Sequence, residues 1–187
     1  MKTSHYLKLA CLVPVFYGLS VLYMPAKAIA AQFLLEWSWR QNMMSEQKDQ
    51  APWFWADTTP IAKLSYQKQQ VSWIVLAGLN DRNLAFGPSW QQDSAKPNRF
   101  GNTIIAAHND SHFAVLEEAK IGDTLTLQNN SGLSLDYQIA EIEIVDENYN
   151  GWNQVTDDTR LTLFTCYPFE LAAQDNQQRL MITAVLI

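Results

Sequence analysis

Cysteine is nearly missing from this chain. It occurs twice, as Cys11 inside an apolar N-terminal stretch and as Cys166 near the far end. With no C-x-x-C pair there is no dithiol redox centre and no thiolate zinc knuckle. The sequence also lacks H-E-x-x-H, G-x-S-x-G and a phosphate-binding glycine loop, which removes the commonest zinc hydrolases, serine hydrolases and nucleotide enzymes. Basic charge is short as well: 13 Lys and Arg stand against 19 Asp and Glu, a net charge of −6. Nucleic-acid binders concentrate cations, so no nucleic acid is expected as a partner. No internal repeat or low-complexity tract is present. What remains is a 187-residue chain, 48% apolar, long enough to bury the core of one domain and to carry an appendage.

The appendage comes first. From Leu9 to Ala26 no residue is charged, and counted from Tyr6 the stretch approaches the ~20 residues that cross a bilayer as a helix. Lys2 and Lys8 precede it, which favours a cytoplasmic N-terminus and places the remainder outside. Ala26-Lys27-Ala28 has the A-x-A form of a signal-peptidase site, so a cleaved signal peptide is the alternative. The long apolar run and the Lys27 charge within the motif favour an uncleaved anchor. The expectation is a single-pass inner-membrane protein with its domain on the periplasmic side. Cys11 is then a small apolar residue within the membrane.

Three segments follow from this reading: a membrane anchor over 1–27, a helical juxtamembrane linker over 28–50, and the main domain over 51–187. The linker helix rests on Ile29, Phe33, Leu34 and Trp37 at helical spacing without Pro or Gly. Pro52 to Pro60 is an aromatic, proline-bracketed entry in extended form. Beyond it, Ile61–Leu64, Val71–Leu76, Thr103–Ala107, Thr124–Leu127, Leu133–Val145, Leu161–Thr165 and Leu180–Ile187 are short, rich in β-branched or aromatic residues, and separated by Gly, Pro and Asn turns. Phe113–Ala119 reads as one short helix. Many short strands with few helices predict a mainly β fold, a closed or nearly closed antiparallel barrel.

Chemistry is carried by few residues. Cys166 ends the run Thr162-Leu163-Phe164-Thr165-Cys166. A lone thiol in an exported protein is uncommon unless its reactivity is used. The thiolate is the nucleophile, and an ordinary pKa of about 8.5 leaves little of it at neutral pH, so a cationic neighbour helps. His108 can supply that charge and later move a proton. Arg179 holds no mobile proton, but its fixed donors suit an oxyanion or a substrate carbonyl. The plainer alternatives are a structural thiol, a satisfied strand-end histidine and half of a surface ion pair. Around these, Thr165 stands as a hydroxyl that could orient substrate or arginine, His112 as a loop hydrogen-bonder, and Asp110 as a neighbour able to steer His108. Glu141, Glu143, Asp146 and Glu147 read as solvated strand faces rather than a calcium site.

Their contexts resemble one family. Thr162 to Cys166 reproduces the T-L-x-T-C strand end that carries the nucleophile of sortases, the cysteine transpeptidases of bacterial surfaces. Ile104-Ile105-Ala106-Ala107-His108 is similar to the strand that delivers their histidine, and Gln178 to Ala184 to the strand that opens on their arginine, in the same order. Where many relatives have Gly before the histidine and Arg after it, this chain has Ala107 and Asn109. The Pro-Trp-Phe-Trp-Ala-Asp entry and Asn-Asp-Ser-His-Phe after His108 resemble the sortases of marine proteobacteria. The resemblance spans roughly Pro52 to Ile187. It implies an eight-stranded sortase barrel and catalytic roles for Cys166, His108 and Arg179. It also implies an exported protein with a C-terminal LPxTG-like signal as substrate, an amine as acceptor, and no cofactor. The rivals are a cysteine endopeptidase that transfers to water and a non-catalytic periplasmic β-barrel binding module. Nothing matches the S-H-G-C segment of L,D-transpeptidases.

Overall fold

The computed structural model describes residues 30–45, 50–149, 156–170 and 177–187. Eight strands form the body: β1 (Pro60–Tyr66), β2 (Val71–Ala77), β3 (Ser89–Trp90), β4 (Gly101–Ala106), β5 (Thr124–Asn129), β6 (Ser134–Asp146), β7 (Thr159–Tyr167) and β8 (Gln178–Leu186). They close in the order β1-β2-β3-β4-β7-β8-β6-β5, with β5 returning to β1. Closure leaves no free sheet edge. The expected mainly β barrel of about eight strands is therefore present. It is not wholly antiparallel, because β2 pairs β3 and β4 pairs β7 in parallel. Chain order alone cannot show this, since β5 and β6 intervene between β4 and β7 in sequence.

Alternation sets the barrel interior. In β1 every second residue from Pro60 to Tyr66 is buried. Leu64, Tyr66, Val75, Leu127, Tyr137, Leu163 and Ile182 meet in one core. Strand β2 departs from alternation, with Ile74, Val75 and Leu76 all buried. The reason lies in helix α1, over 30–44. Its Leu35 and Trp39, one turn apart, pack on Ile74 and Leu76, which share the outer face of β2. Ser38 Oγ and Asn42 Nδ2 both donate to the Gln50 carbonyl, at 2.9 and 3.3 Å, tying down the chain that follows. From Leu35 onward the chain belongs to one compact unit that runs to Ile187.

Two small elements follow β2 that pattern reading does not find. Helix α2 (Asp81–Leu84) is a single turn capped by Asn80, whose side chain accepts from the Asn83 amide at 3.0 Å. Strand β3 has two residues, too few to show a period. The expected helix at Phe113–Ala119 is a 3-10 turn, Ala114–Glu118. Among the described residues no helix is long and apolar enough to cross a membrane. The segment expected as an anchor, over 1–27, lies outside them.

A buried asparagine clamps the long loop between β3 and β4 to the sheet. Asn98 adopts φ 60°, a left-handed conformation that asparagine tolerates better than most residues. Its Nδ2 donates to the Leu127 and Leu133 carbonyls, both at 2.8 Å, and its Oδ1 accepts from the Tyr137 hydroxyl at 3.0 Å. Burial pushes the Tyr137 phenol up to about 12. Asn98→Ala deletes three hydrogen bonds and leaves a buried hydroxyl without its acceptor. It is expected to cost about 2–4 kcal/mol of stability, read as a lowered denaturant midpoint with an unchanged slope.

Candidate active site

The order around the barrel puts β7 between β4 and β8, and each of the three carries one of the expected site residues. Cys166 is the penultimate residue of β7, half-buried and free of any disulfide. Its direct antiparallel partner is Arg179, the second residue of β8. Directly opposed residues leave the sheet on the same face with Cβ atoms about 5 Å apart. On the other side of β7 the parallel pairing runs to Ala106 opposite Phe164. Two residues further along each chain stand His108 and Cys166. The Ala107 amide still donates to the Phe164 carbonyl at 3.2 Å, so the register holds up to the histidine.

Thr165 ties the same strands. Its side chain is buried and its hydroxyl donates to the Ala107 carbonyl at 2.7 Å. The hydroxyl therefore links the residue before His108 to the residue before Cys166.

The histidine loop is held at both ends. The Phe113 amide donates to the His108 carbonyl at 3.0 Å, and the Phe113 ring is fully buried in the core, edge-on to Trp73 at 5.7 Å. Asn109, which departs from the family pattern, donates from Nδ2 to the Pro168 carbonyl at 2.9 Å. It joins the loop after His108 to the loop after Cys166, a position that sequence spacing had left without a role. His108 itself is exposed.

His112 acts as the expected loop hydrogen-bonder. Its Nε2 donates to the Phe86 carbonyl at 3.2 Å. Burial, reinforced by the nearby charge of His108, lowers its pKa below the usual 6.5 despite the opposing pull of Asp110. The unfolded chain thus takes up this proton at a higher pH than the folded one. Stability contributed by neutral His112 is complete above about pH 6.5 and declines as pH falls below that value. His112→Asn is expected to flatten the fall of melting temperature between about pH 6.5 and 5, measured beside wild type.

Arg179 is engaged by its surroundings. Nη1 donates to the Gln178 carbonyl at 2.8 Å and Nη2 to Glu147 Oε2 at 3.2 Å. Glu147, grouped with the strand-face acids by sequence, is thus an arginine partner next to the end of β6. Sequence carries no signal for this pairing, which follows from the register of Val145 against Arg179. The Asp146 pKa is lowered, chiefly by the hydrogen bonds it accepts from the Asn148 amide and side chain. Among the described residues no group of three or more His, Cys, Asp or Glu is disposed to hold a metal ion.

A thiol opposite a guanidinium, with an imidazole at the end of the adjoining strand, is a kit for acyl transfer. The sortase-domain family model matches residues 64–187, about two thirds of the chain. The chain belongs to the sortase family. Sortases are cysteine transpeptidases, and solved sortases share the barrel. Sortase C1 from Streptococcus suis is 25% identical with a TM-score of 0.61, over 68% of this chain and 73% of that one. A sortase D5 transpeptidase from Clostridium perfringens is 20% identical with a TM-score of 0.68, over 84% and 99%. Sortase A from Corynebacterium diphtheriae is 20% identical with a TM-score of 0.63, over 84% of each. No curated protein sequence matches significantly.

Proposed function

We propose that this sortase is a membrane-anchored transpeptidase of the Gram-negative type, held in the inner membrane with its barrel on the periplasmic side. Its substrate is an exported protein that ends in an LPxTG-like sorting signal. The observation that carries the reading is the direct pairing of Cys166 with Arg179 across β7 and β8, beside the strand that leads to His108. The Cys166 thiolate attacks the carbonyl carbon of the signal's Thr, and a C–S bond forms as the oxygen takes up negative charge. Arg179 meets that charge with its planar donors. The C–N bond then breaks, its electron pair leaves on nitrogen, and His108 supplies the proton that nitrogen needs. A thioacyl enzyme remains. An incoming amine gives a proton back to His108 and attacks the thioester, so the new amide forms and the Cys166 thiolate is released. Thr165 and Asn109 hold the two loops in register for both steps.

Incubation of the full chain with an LPxTG-like peptide, with and without a primary amine, tests the reading. The expected result is a thioacyl adduct on Cys166 by mass spectrometry and an amine-ligated product that increases with amine. An adduct resolved only to the free acid would make the protein an endopeptidase. Absence of any adduct, with the peptide intact, would make it a binding module.

A further inference from the structure

The loop that begins at His108 closes on itself and is tied by side chains to the rest of the barrel. The Phe113 amide donates to the His108 carbonyl at 3.0 Å, and the fully buried Phe113 ring roots the far end of the loop in the core. Asn109 reaches the Pro168 carbonyl after β7, at 2.9 Å. His112 reaches the Phe86 carbonyl after α2, at 3.2 Å. The first tie leads to the strand of the nucleophile. The second leads to an element that the chemistry above does not use.

The acceptor in that second tie is built to stay in place. The Phe86 and Gly87 amides both donate to the Asn83 carbonyl, at 2.9 and 3.0 Å. The Asn83 side chain is 1% exposed, and its Nδ2 donates to the Ala77 and Gly78 carbonyls at the end of β2, at 3.0 and 2.8 Å. The Phe86 ring packs against the buried cluster of Leu35, Trp39, Ile74 and Leu76, and meets Trp53 edge-on at 5.2 Å. At Gly87 a Cβ would stand 3.0 Å from the Ile74 carbonyl oxygen, so the turn lies flush on β2. A carbonyl only accepts, so His112 Nε2 carries the proton and Nδ1 is left as an acceptor, 3.5 Å from Ser111 Oγ. The ring makes this bond in its neutral form, which burial favours. A neutral ring also adds no cation beside His108, whose imidazolium a second positive charge would oppose.

His108 is exposed, so its imidazole is placed by the backbone that carries it more than by packing. Whatever fixes that backbone therefore acts on the proton the reaction moves. We propose that His112 is a positioning residue for transfer: its bond to the Phe86 carbonyl seats the His108 loop on the turn after α2 and keeps the His108 imidazole within reach of Cys166. Asn109 sets the loop from β7, and His112 sets it from α2. The proposal deepens the transpeptidase reading and rests on the proton-carrying role that reading gives to His108.

The test compares the full chain as wild type, His112→Leu and His112→Gln. Leucine fills the space without a donor, whereas glutamine carries an amide N–H the same number of bonds from Cα as Nε2. The readings are turnover of the LPxTG-like peptide, the rate at which iodoacetamide alkylates Cys166 at neutral pH, and thermal unfolding. Assays run well below the melting temperature of each variant, so loss of fold does not contribute. His112→Leu is expected to lower kcat about tenfold or more with KM nearly unchanged, since a shift of about 1 Å in a reacting group costs up to about 10²-fold. It should also slow alkylation, because less of the thiol ionises once the imidazolium is displaced. His112→Gln is expected to stay near wild type in both. Leucine equal to wild type, glutamine as impaired as leucine, or losses that only track the unfolded fraction would overturn the proposal, and a thioacyl adduct on wild type would leave the transpeptidase reading standing. If wild type forms no adduct while alkylation still ranks glutamine above leucine, the transpeptidase reading falls and the seating of His108 stands.

Discussion

Cys166→Ala is expected to leave no measurable cleavage of a sorting-signal peptide while the barrel stays folded. The thiol is the sole covalent nucleophile in the proposed mechanism, and it is the free cysteine among the described residues. A half-buried side chain that loses only its sulfur gives up little packing, so melting temperature should move by no more than a few degrees. The strand is held independently of the sulfur, by pairing with β4 and β8 and by the Thr165 hydrogen bond to Ala107. Cys166→Ser is expected to be nearly as inactive, because a hydroxyl stays protonated where a thiol ionises. Turnover and thermal unfolding of the three proteins, side by side, decide the matter. A sulfur-free variant that retained more than about one per cent of wild-type turnover would place the nucleophile elsewhere.

The parts of this site that sequence reveals are those written as local pattern. Thr162 to Cys166, Ile104 to His108 and Gln178 to Ala184 all read as strand ends, and all three are strands or lead out of one. The closed barrel was legible for a related reason: short runs rich in β-branched or aromatic residues, set apart by turn signals, mark strands, and β1 and β5 lie over two of them. What could not be read depends on pairs far apart in the chain. The parallel seam between β4 and β7 brings Ala107 to Thr165, although two strands and a turn separate them in sequence. Burial of β2 on both faces needs α1, whose Leu35 and Trp39 belong to a different helical stripe from the Phe33 and Trp37 that suggested the helix. Glu147 looked like one acid of a solvated strand face, and only the β6–β8 register brings it to the guanidinium of Arg179. Asn109 stands in the Asn-Asp-Ser-His-Phe run, which assigns it no contact, and Asn83 stands in no motif. Their roles come from carbonyls that the fold places within reach.

Arg179→Lys is expected to lower kcat/KM by about 10²-fold or more, the scale of losing one oxyanion donor, with melting temperature nearly unchanged. Lysine keeps the charge but loses the planar fork that can serve two acceptors at once. In this structure the fork already does so, with Nη1 on the Gln178 carbonyl and Nη2 on Glu147. Glu147 is 43% exposed at its side chain and Arg179 23%, so their ion pair is wet and contributes at most about 1 kcal/mol. That small value separates the two roles open to the arginine. If Arg179 served only as half of an ion pair, Glu147→Gln would remove the same partner and match Arg179→Lys in every assay. If it meets the oxyanion, Glu147→Gln leaves the guanidinium in place opposite Cys166, and activity should fall less than tenfold. Peptide turnover and thermal unfolding for both variants make the comparison. Near-normal turnover in Arg179→Lys, or equal losses in the two, would assign Arg179 to structure. A loss near 10²-fold confined to Arg179→Lys would assign it to the transition state, because only there does an acceptor appear that was absent from the ground state.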